Sequence, residues 1–216
     1  MEDRYLETHK TWNNLAQLYE DKFMHLDLYN DTYKAFCDLL PPSNATVLEL
    51  GCGPGNITQH LLQLKPQLQI LATDVSKDMI SLAAKNNPGI DTQVLDCRHL
   101  DIIAQKFDGI MCGFTIPYLS AADCNKLISD SYNLLSDNGI IYISFVPGDD
   151  KKSGFISGST GERTYFYYHN INALKQNLQL NHMMVTHRID KMYKKSDEVY
   201  ETHTILIAQK QKSIHA

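Results

Sequence analysis

The sequence predicts an α/β fold: a doubly wound, seven-stranded, mostly parallel sheet closed by a C-terminal antiparallel hairpin. Three observations predict it. Short apolar runs alternate with helical patterns from Thr46 to Phe145, and strands alternating with helices imply right-handed crossovers in an open sheet. Several of those runs are almost continuous in Val, Ile and Leu, as in parallel strands covered on both faces. Near the end, HMMVTHRIDKMY and EVYETHTILIAQK are separated only by KKSD. So short a connection closes an antiparallel pair, because a parallel return needs about a dozen residues or more.

Each element has its own signal. Between Thr11 and Leu40 apolar side chains recur at helical spacing (Trp12, Leu15, Leu18, Tyr19; then Tyr33, Phe36, Leu39, Leu40), predicting two helices stopped at Pro41 and Pro42. Residues 1–42 are read as an N-terminal helical lid and 43–216 as a ligand-binding domain, one structural domain overall. The parallel strands fall at 46–50, 68–74, 90–96, 107–113 and 139–146. Helical patterns lie between them in ITQHLLQL, SKDMISLAAKNN, a short LDIIAQK and AADCNKLISDSYNLLSD. The stretch PGDDKKSGFISGSTGERTYFYYHN is rich in glycine and serine and then aromatic. It reads either as a lid over a site or as an edge strand with its aromatics on the core. INALKQNLQL is a further helix with Asn170 as its cap.

Composition narrows the class. The chain has 216 residues, 43% hydrophobic and 21% charged, with a formal net charge of −5. That balance offers no broad basic field, so no nucleic-acid partner held through its phosphates is expected. Lys191, Lys194 and Lys195 read as a solvated turn between the last two strands. The 5 cysteines are odd in number and include no C-x-x-C pair, which predicts reduced thiols and a cytoplasmic location. No metal-ligand spacing is present. The polar, acidic start is unlike a signal peptide, and no apolar run reaches the roughly 18 residues of a membrane span.

The chemistry concentrates in TVLELGCGPGNITQH, Thr46 to His60. The first strand runs into Gly51, Cys52, Gly53, Pro54 and Gly55, with Glu49 just upstream. In an open α/β sheet this loop lies in the crevice beyond the strand ends, and glycine permits both positive φ and close approach of a ligand to the backbone. Asn56 is expected to cap the next helix. A dinucleotide fingerprint is G-x-G-x-x-G; here the spacing is G-x-G-x-G, and Glu49 sets a negative charge where phosphates would lie. A cationic ligand without phosphate suits the loop better.

S-adenosylmethionine is such a ligand, and VLELGCGPGN resembles the first motif of the class I S-adenosylmethionine-dependent methyltransferases. The resemblance runs in motif order from about Thr46 to Phe145, and the hairpin ending is similar to that family's reversed last strand. It implies a Rossmann-like methyltransferase fold, S-adenosyl-L-methionine as cofactor, and a cofactor site built on Glu49, Gly51, Cys52, Gly53, Gly55 and Asn56. It further implies Asp74 on the ribose hydroxyls, with Val75 and Met79 beside it. Asp96 would face the adenine amine, with the Cys97 amide on the ring. Gly113 and Phe114 would lie along the methionine portion. The acid at Asp74 does not discriminate by itself, because NAD enzymes use one there too.

No catalytic motif stands out. Methyl transfer from a sulfonium is an in-line displacement in which the protein chiefly aligns the nucleophile and excludes water. TIPY (115–118) echoes the Asn/Asp-Pro-Pro-Tyr of amine methylases, but Thr115 lacks the acceptor such chemistry needs, and the echo is read as coincidence. The substrate walls are expected from the N-terminal helices and the aromatic segment. His169 is a candidate base and Tyr19 a candidate cover over the cofactor, each with a plain core role as its alternative; Trp12 reads as a packing anchor. The expected acceptor is a small molecule bearing an O, N or S nucleophile, handled by a monomer or homodimer. Two alternatives stay open: a nicotinamide-dependent oxidoreductase, although none of the 12 tyrosines has a lysine four residues on, and a non-catalytic S-adenosylmethionine-binding protein.

Overall fold

The computed structural model describes residues 4–158 and 160–212. Residues 1–3, 159 and 213–216, which the expected lid and domain include, lie outside the described residues. Helices α1 (Arg4–Asn14), α2 (Ala16–Phe23) and α3 (Asn30–Leu39) precede the sheet. Three helices thus stand where the spacing predicts two: the first begins seven residues earlier than expected, and Leu15 separates it from α2.

The alternating section follows as β1 (Thr46–Leu50), α4 (Asn56–Leu64), β2 (Gln69–Asp74), α5 (Lys77–Asn86), β3 (Asp91–Val94), β4 (Phe107–Cys112), α6 (Ala121–Leu134) and β5 (Leu135–Phe145). LDIIAQK contributes only a single 3-10 turn, Leu100–Ile102, not an α-helix. After β5 come β6 (Gly154–Ser157), β7 (Arg163–Phe166), α7 (Ile171–Leu180), β8 (Met183–Lys194) and β9 (Tyr200–Lys210). The sheet order is β3-β2-β1-β4-β5-β9-β8. β1 pairs in parallel with both β2 and β4, whereas β9 is antiparallel to β5 and to β8.

Strand order reverses between β1 and β4, so the loops after those two strands diverge and leave a crevice. Both faces of the sheet are covered. On one, Leu48, Leu50, Ile141 and Ile143 pack with Leu127 and Ile128 of α6 and Leu174 and Leu178 of α7. On the other, Val47, Met111 and Tyr142 pack with Phe36 of α3, Leu61 of α4 and Ala83 of α5. At Gly109 a Cβ would stand 2.7 Å from the Phe36 ring, so the missing side chain lets α3 sit directly on β4. Asn170 caps α7 as expected, accepting bonds from the Asn172 and Ala173 amides; Ser76 and Ser120 do the same for α5 and α6.

The aromatic segment is not an edge strand of the main sheet; Ile156, Phe166 and Tyr168 border a cavity, as the lid reading expects. β6 and β7 pair only with each other, Gly154↔Phe166 to Ser157↔Arg163. This small hairpin is tied to α1 rather than to the main sheet's edge: the Thr11 hydroxyl donates to the Arg163 carbonyl (2.7 Å), and the Tyr165 amide donates to the Thr8 hydroxyl (3.0 Å).

Candidate functional site: a glycine-floored cleft with two joined cavities

At the crevice, Gly51, Gly53 and Gly55 have φ of +67°, +54° and +84°, the left-handed region that other residues enter at a cost. The three serve different ends. A Cβ on Gly55 would meet Asn87 Nδ2 at 2.3 Å, whereas one on Gly53 would meet only Tyr19 Cε1, at 3.6 Å. Gly53 therefore borders open space, and Gly55 packs α4 against α5. Gly55 is also the N-cap of α4, with Asn56 already the first helical residue and no side-chain cap bond. The expected capping role of Asn56 is not found: the left-handed glycine turns the chain into the helix by itself.

Two cavities meet over this floor. The smaller, about 120 Å³, is bordered by Gly51, Gly53, Asp74, Val75, Met79, Asp96, Cys97, Gly113 and Phe114. All nine are among the sequence-derived candidates. The larger, about 260 Å³, takes in Cys52 and Asn56 and extends toward β8 and β9. Trp12, Tyr19, Gly51, Gly53, Gly113, Phe114 and Tyr118 border both. Tyr19 thus lies over the glycine floor, as expected. Trp12 packs edge-on to Tyr19 (5.6 Å) and to Tyr118 (5.2 Å), so the residue read as a packing anchor is part of the cleft wall.

Asp74 ends β2, and its carboxylate is fixed by two backbone donors, Gly53 N on Oδ2 (3.0 Å) and Ser76 N on Oδ1 (2.8 Å). Burial raises its pKa, and these two bonds oppose the rise. Asp96 is held differently. Arg98 Nε reaches both carboxylate oxygens at 3.0 Å, and the Arg98 amide donates to Oδ1 at 2.9 Å. Burial would raise the Asp96 pKa, but the Arg98 bonds outweigh it and the net shift is downward. The Arg98 guanidinium lies over the Tyr5 ring at 3.9 Å. Arg98 was not foreseen, although the Asp-x-Arg spacing alone carried the signal.

Glu49 does not border either cavity. It is 1% exposed, accepts a bond on Oε2 from the Thr58 hydroxyl (2.6 Å), and has no partner for Oε1. Burial pushes its pKa up to about 8, against the Thr58 bond and with help from Asp74. Its expected direct place in the cofactor site is thereby corrected to a position beneath the floor. His169 takes the core position that is the alternative to a role as a base. It is buried, borders neither cavity, and its Nε2 is 2.7 Å from the Ile116 carbonyl oxygen. Burial lowers its pKa, and its geometry is that of a fastener between the aromatic segment and the loop after β4. Thr115, first residue of TIPY, donates its hydroxyl to the Leu50 carbonyl (2.7 Å).

Sequence reasoning missed the contribution of the C-terminal hairpin altogether. Tyr193, Lys195, Glu201 and His203 border the larger cavity together with Tyr29. Lys195 is therefore more than a solvated turn residue; its Nζ lies 3.5 Å from Glu201.

The site can be tested against candidate ligands. Among the described residues, the smaller cavity is lined by Asp74 and Asp96 and by no Lys or Arg. A diphosphate would meet the Asp74 carboxylate there, which no Lys or Arg pairs, and an Asp96 whose one cationic partner, Arg98, is already engaged. A cation carrying hydroxyls and a flat ring system meets acceptors, aromatic faces and a bare backbone, so S-adenosylmethionine fits.

The order of the seven strands and the cleft at their reversal define the Rossmann-like methyltransferase fold. Solved structures agree: a S-adenosylmethionine-dependent methyltransferase from Methanosarcina mazei is similar with a TM-score of 0.71 at 16% identity, covering 86% of this chain and 99% of that one. Magnesium protoporphyrin IX methyltransferase from Synechocystis, with bound S-adenosylmethionine, is similar with a TM-score of 0.71 at 16% identity, covering 98% and 99%. Residues 47–139 match the family described as a methyltransferase domain. A malonyl-[acyl-carrier protein] O-methyltransferase of Bacillus anthracis is 30% identical over 104 residues, 47% of this chain and 38% of that protein. The chain spans 34% to 62% of the length of such curated relatives. Among the described residues no helix is long and apolar enough to cross a membrane.

Proposed function

We propose that this protein transfers the methyl group of S-adenosylmethionine to a small molecule, with the cofactor in the smaller cavity and the acceptor in the larger. The observation that carries this reading is the junction: one set of residues, Gly51, Gly53, Gly113 and Phe114, borders both cavities. A donor and an acceptor held in them would face each other at that junction, the arrangement in-line displacement needs.

The bound cofactor supplies an activated methyl group on a sulfonium. The chain's own residues do the rest. The Gly53 backbone leaves room for the ligand, and the Asp74 carboxylate, already oriented by two amides, is set to accept the ribose hydroxyls. Charge-assisted bonds of this kind contribute about 1.5–3 kcal/mol each. Val75, Met79 and Cys97, which line the same cavity, would hold the adenine, and Asp96 would accept from its amine. Trp12, Tyr19 and Tyr118 cover the junction and exclude water, so that α1 and α2, which carry the first two, act as a lid. The acceptor is a small molecule rather than a nucleic acid, in keeping with the net charge of −5. The five unpaired cysteines suit a cytoplasmic setting.

Calorimetric titration with S-adenosylmethionine, S-adenosylhomocysteine and NAD tests the reading. Binding of the first two and not the third is expected; NAD binding with neither of the others would overturn it.

A further inference from the structure

The larger cavity holds a hydrogen-bonded array that the cofactor reading does not use. His203, on β9, is 7% exposed. Its Nδ1 lies 2.6 Å from the Tyr29 hydroxyl and its Nε2 lies 3.3 Å from Glu201 Oε2. The imidazole is stacked on the Tyr193 ring (centroids 4.8 Å, 12° interplanar), lies nearly coplanar with the Tyr29 ring (6°, centroids 6.0 Å) whose hydroxyl it meets edge-on, and touches Phe114, centroids 4.8 Å apart. Packing against Tyr193 and Phe114 fixes the plane of the ring, and Glu201 fixes its tautomer. A carboxylate only accepts, so Nε2 carries the hydrogen, and the Nδ1 lone pair accepts the Tyr29 O–H. The Tyr29 oxygen keeps its own lone pairs. Phe114 borders both cavities, which sets the array one ring from their junction.

Resting on the methyl-transfer reading, we propose that Tyr29 and His203, oriented by Glu201, form a proton relay, and that the acceptor is a hydroxyl compound with an aromatic or apolar body. The acceptor O–H donates to the Tyr29 oxygen. As the acceptor oxygen forms its bond to the methyl carbon, the electrons of the broken carbon–sulfur bond stay on sulfur. The acceptor's proton moves to Tyr29 while the Tyr29 proton moves to His203 Nδ1. The positive charge lost from sulfur reappears as imidazolium beside Glu201 and leaves as a proton to water. An acceptor carboxylate would need no such relay. The cavity walls select the body of the acceptor: Phe23, Leu26, Tyr33, Val146, Phe166 and Tyr168 surround it.

The groups facing His203 are few. Tyr29, Tyr193 and Glu201 touch it. Lys195 reaches Glu201 at 3.5 Å, and Lys191, opposite His203 in the strand register, turns its Nζ to Asp31 at 2.6 Å. Burial lowers the His203 pKa, while the Glu201 bond opposes that, which keeps the ring neutral and able to accept.

The probe is 4-nitrophenol, whose anion absorbs in the visible, titrated into the protein saturated with S-adenosylhomocysteine at a pH where the free phenol is mostly neutral. The expected result is growth of the anion band on binding. In His203→Gln and Tyr29→Phe that bound anion is reduced about 100-fold relative to wild type, the scale of a lost acid–base group, with S-adenosylhomocysteine affinity unchanged. A merely structural Tyr29–His203 bond would leave the ionisation of bound phenol unmoved. Equal anion bands in wild type and His203→Gln, or no phenol binding to the S-adenosylhomocysteine complex, overturns the relay and leaves the cofactor reading standing. Failure of wild type to bind S-adenosylhomocysteine overturns both.

Discussion

The substitution Gly53→Ala separates the cofactor's needs from those of the fold. Gly53 has φ +54°, and a Cβ there would meet only Tyr19 Cε1 at 3.6 Å, an ordinary contact. The cost to the folded chain is therefore that of the left-handed backbone, about 1–2 kcal/mol, or a Tm lower by about 2–8 °C at this chain length. The methyl group points into the cleft, where the cofactor's own atoms must lie against the backbone. Overpacking of about 1–3 kcal/mol falls on the complex alone, which weakens binding about 5- to 150-fold. Gly55→Ala is the control. Its φ is +84°, but its Cβ would strike Asn87 Nδ2 at 2.3 Å and Ala83 at 3.1 Å, so it lowers Tm further through contacts remote from the ligand. Calorimetry gives the affinities for S-adenosylhomocysteine, and thermal unfolding with and without ligand gives the stabilities. Ligand at a hundred times the wild-type Kd raises wild-type stability by about 2.7 kcal/mol, an increment that falls to about 0.3–1.8 kcal/mol in Gly53→Ala at the same concentration. Unchanged affinity in Gly53→Ala would refute the placement of the cofactor on this floor.

Further outcomes follow from the same geometry. Asp74→Ala removes the acceptor of two ribose hydroxyls, and the loss of about 3–6 kcal/mol predicts a Kd raised by roughly 10² to 10⁴; calorimetric affinity within a few-fold of wild type would count against the ribose role. Glu49 has a folded pKa of about 8 against an ordinary 4.5, so its contribution to stability is full below that lower value and falls as pH rises toward the upper one, by about 1.4 kcal/mol per unit. Glu49→Gln therefore flattens the decline in denaturant midpoint between about pH 5 and pH 8, and a profile parallel to wild type contradicts it. His169→Gln loosens the bond to Ile116 O and lowers stability by about 1 kcal/mol while leaving methyl transfer intact; lost turnover in a well-folded variant would restore His169 as a base. Trp12→Ala, which removes a wall common to both cavities, weakens S-adenosylhomocysteine and 4-nitrophenol together, and an effect on only one of them speaks against the shared junction.

What the sequence by itself determined is the part of the protein that local chemistry dictates. Apolar runs of strand length, glycines at a strand end and acids closing the next two strands fixed the sheet, the crevice and the acidic side of the ligand site. Each of those features acts within a few residues of itself, through backbone conformation or strand termination. The short KKSD connection fixed the antiparallel hairpin for the same reason. Only the tertiary structure decided the second cavity. Tyr29 and His203 are separated by 174 positions, and their contact exists because β9 lies antiparallel beside β5 while α3 crosses the same face. Burial, likewise a property of the assembled chain, turned Glu49 beneath the floor and made His169 a fastener. Neither its neighbours in sequence nor its residue type tells a carboxylate or an imidazole which way it faces; packing of distant elements does.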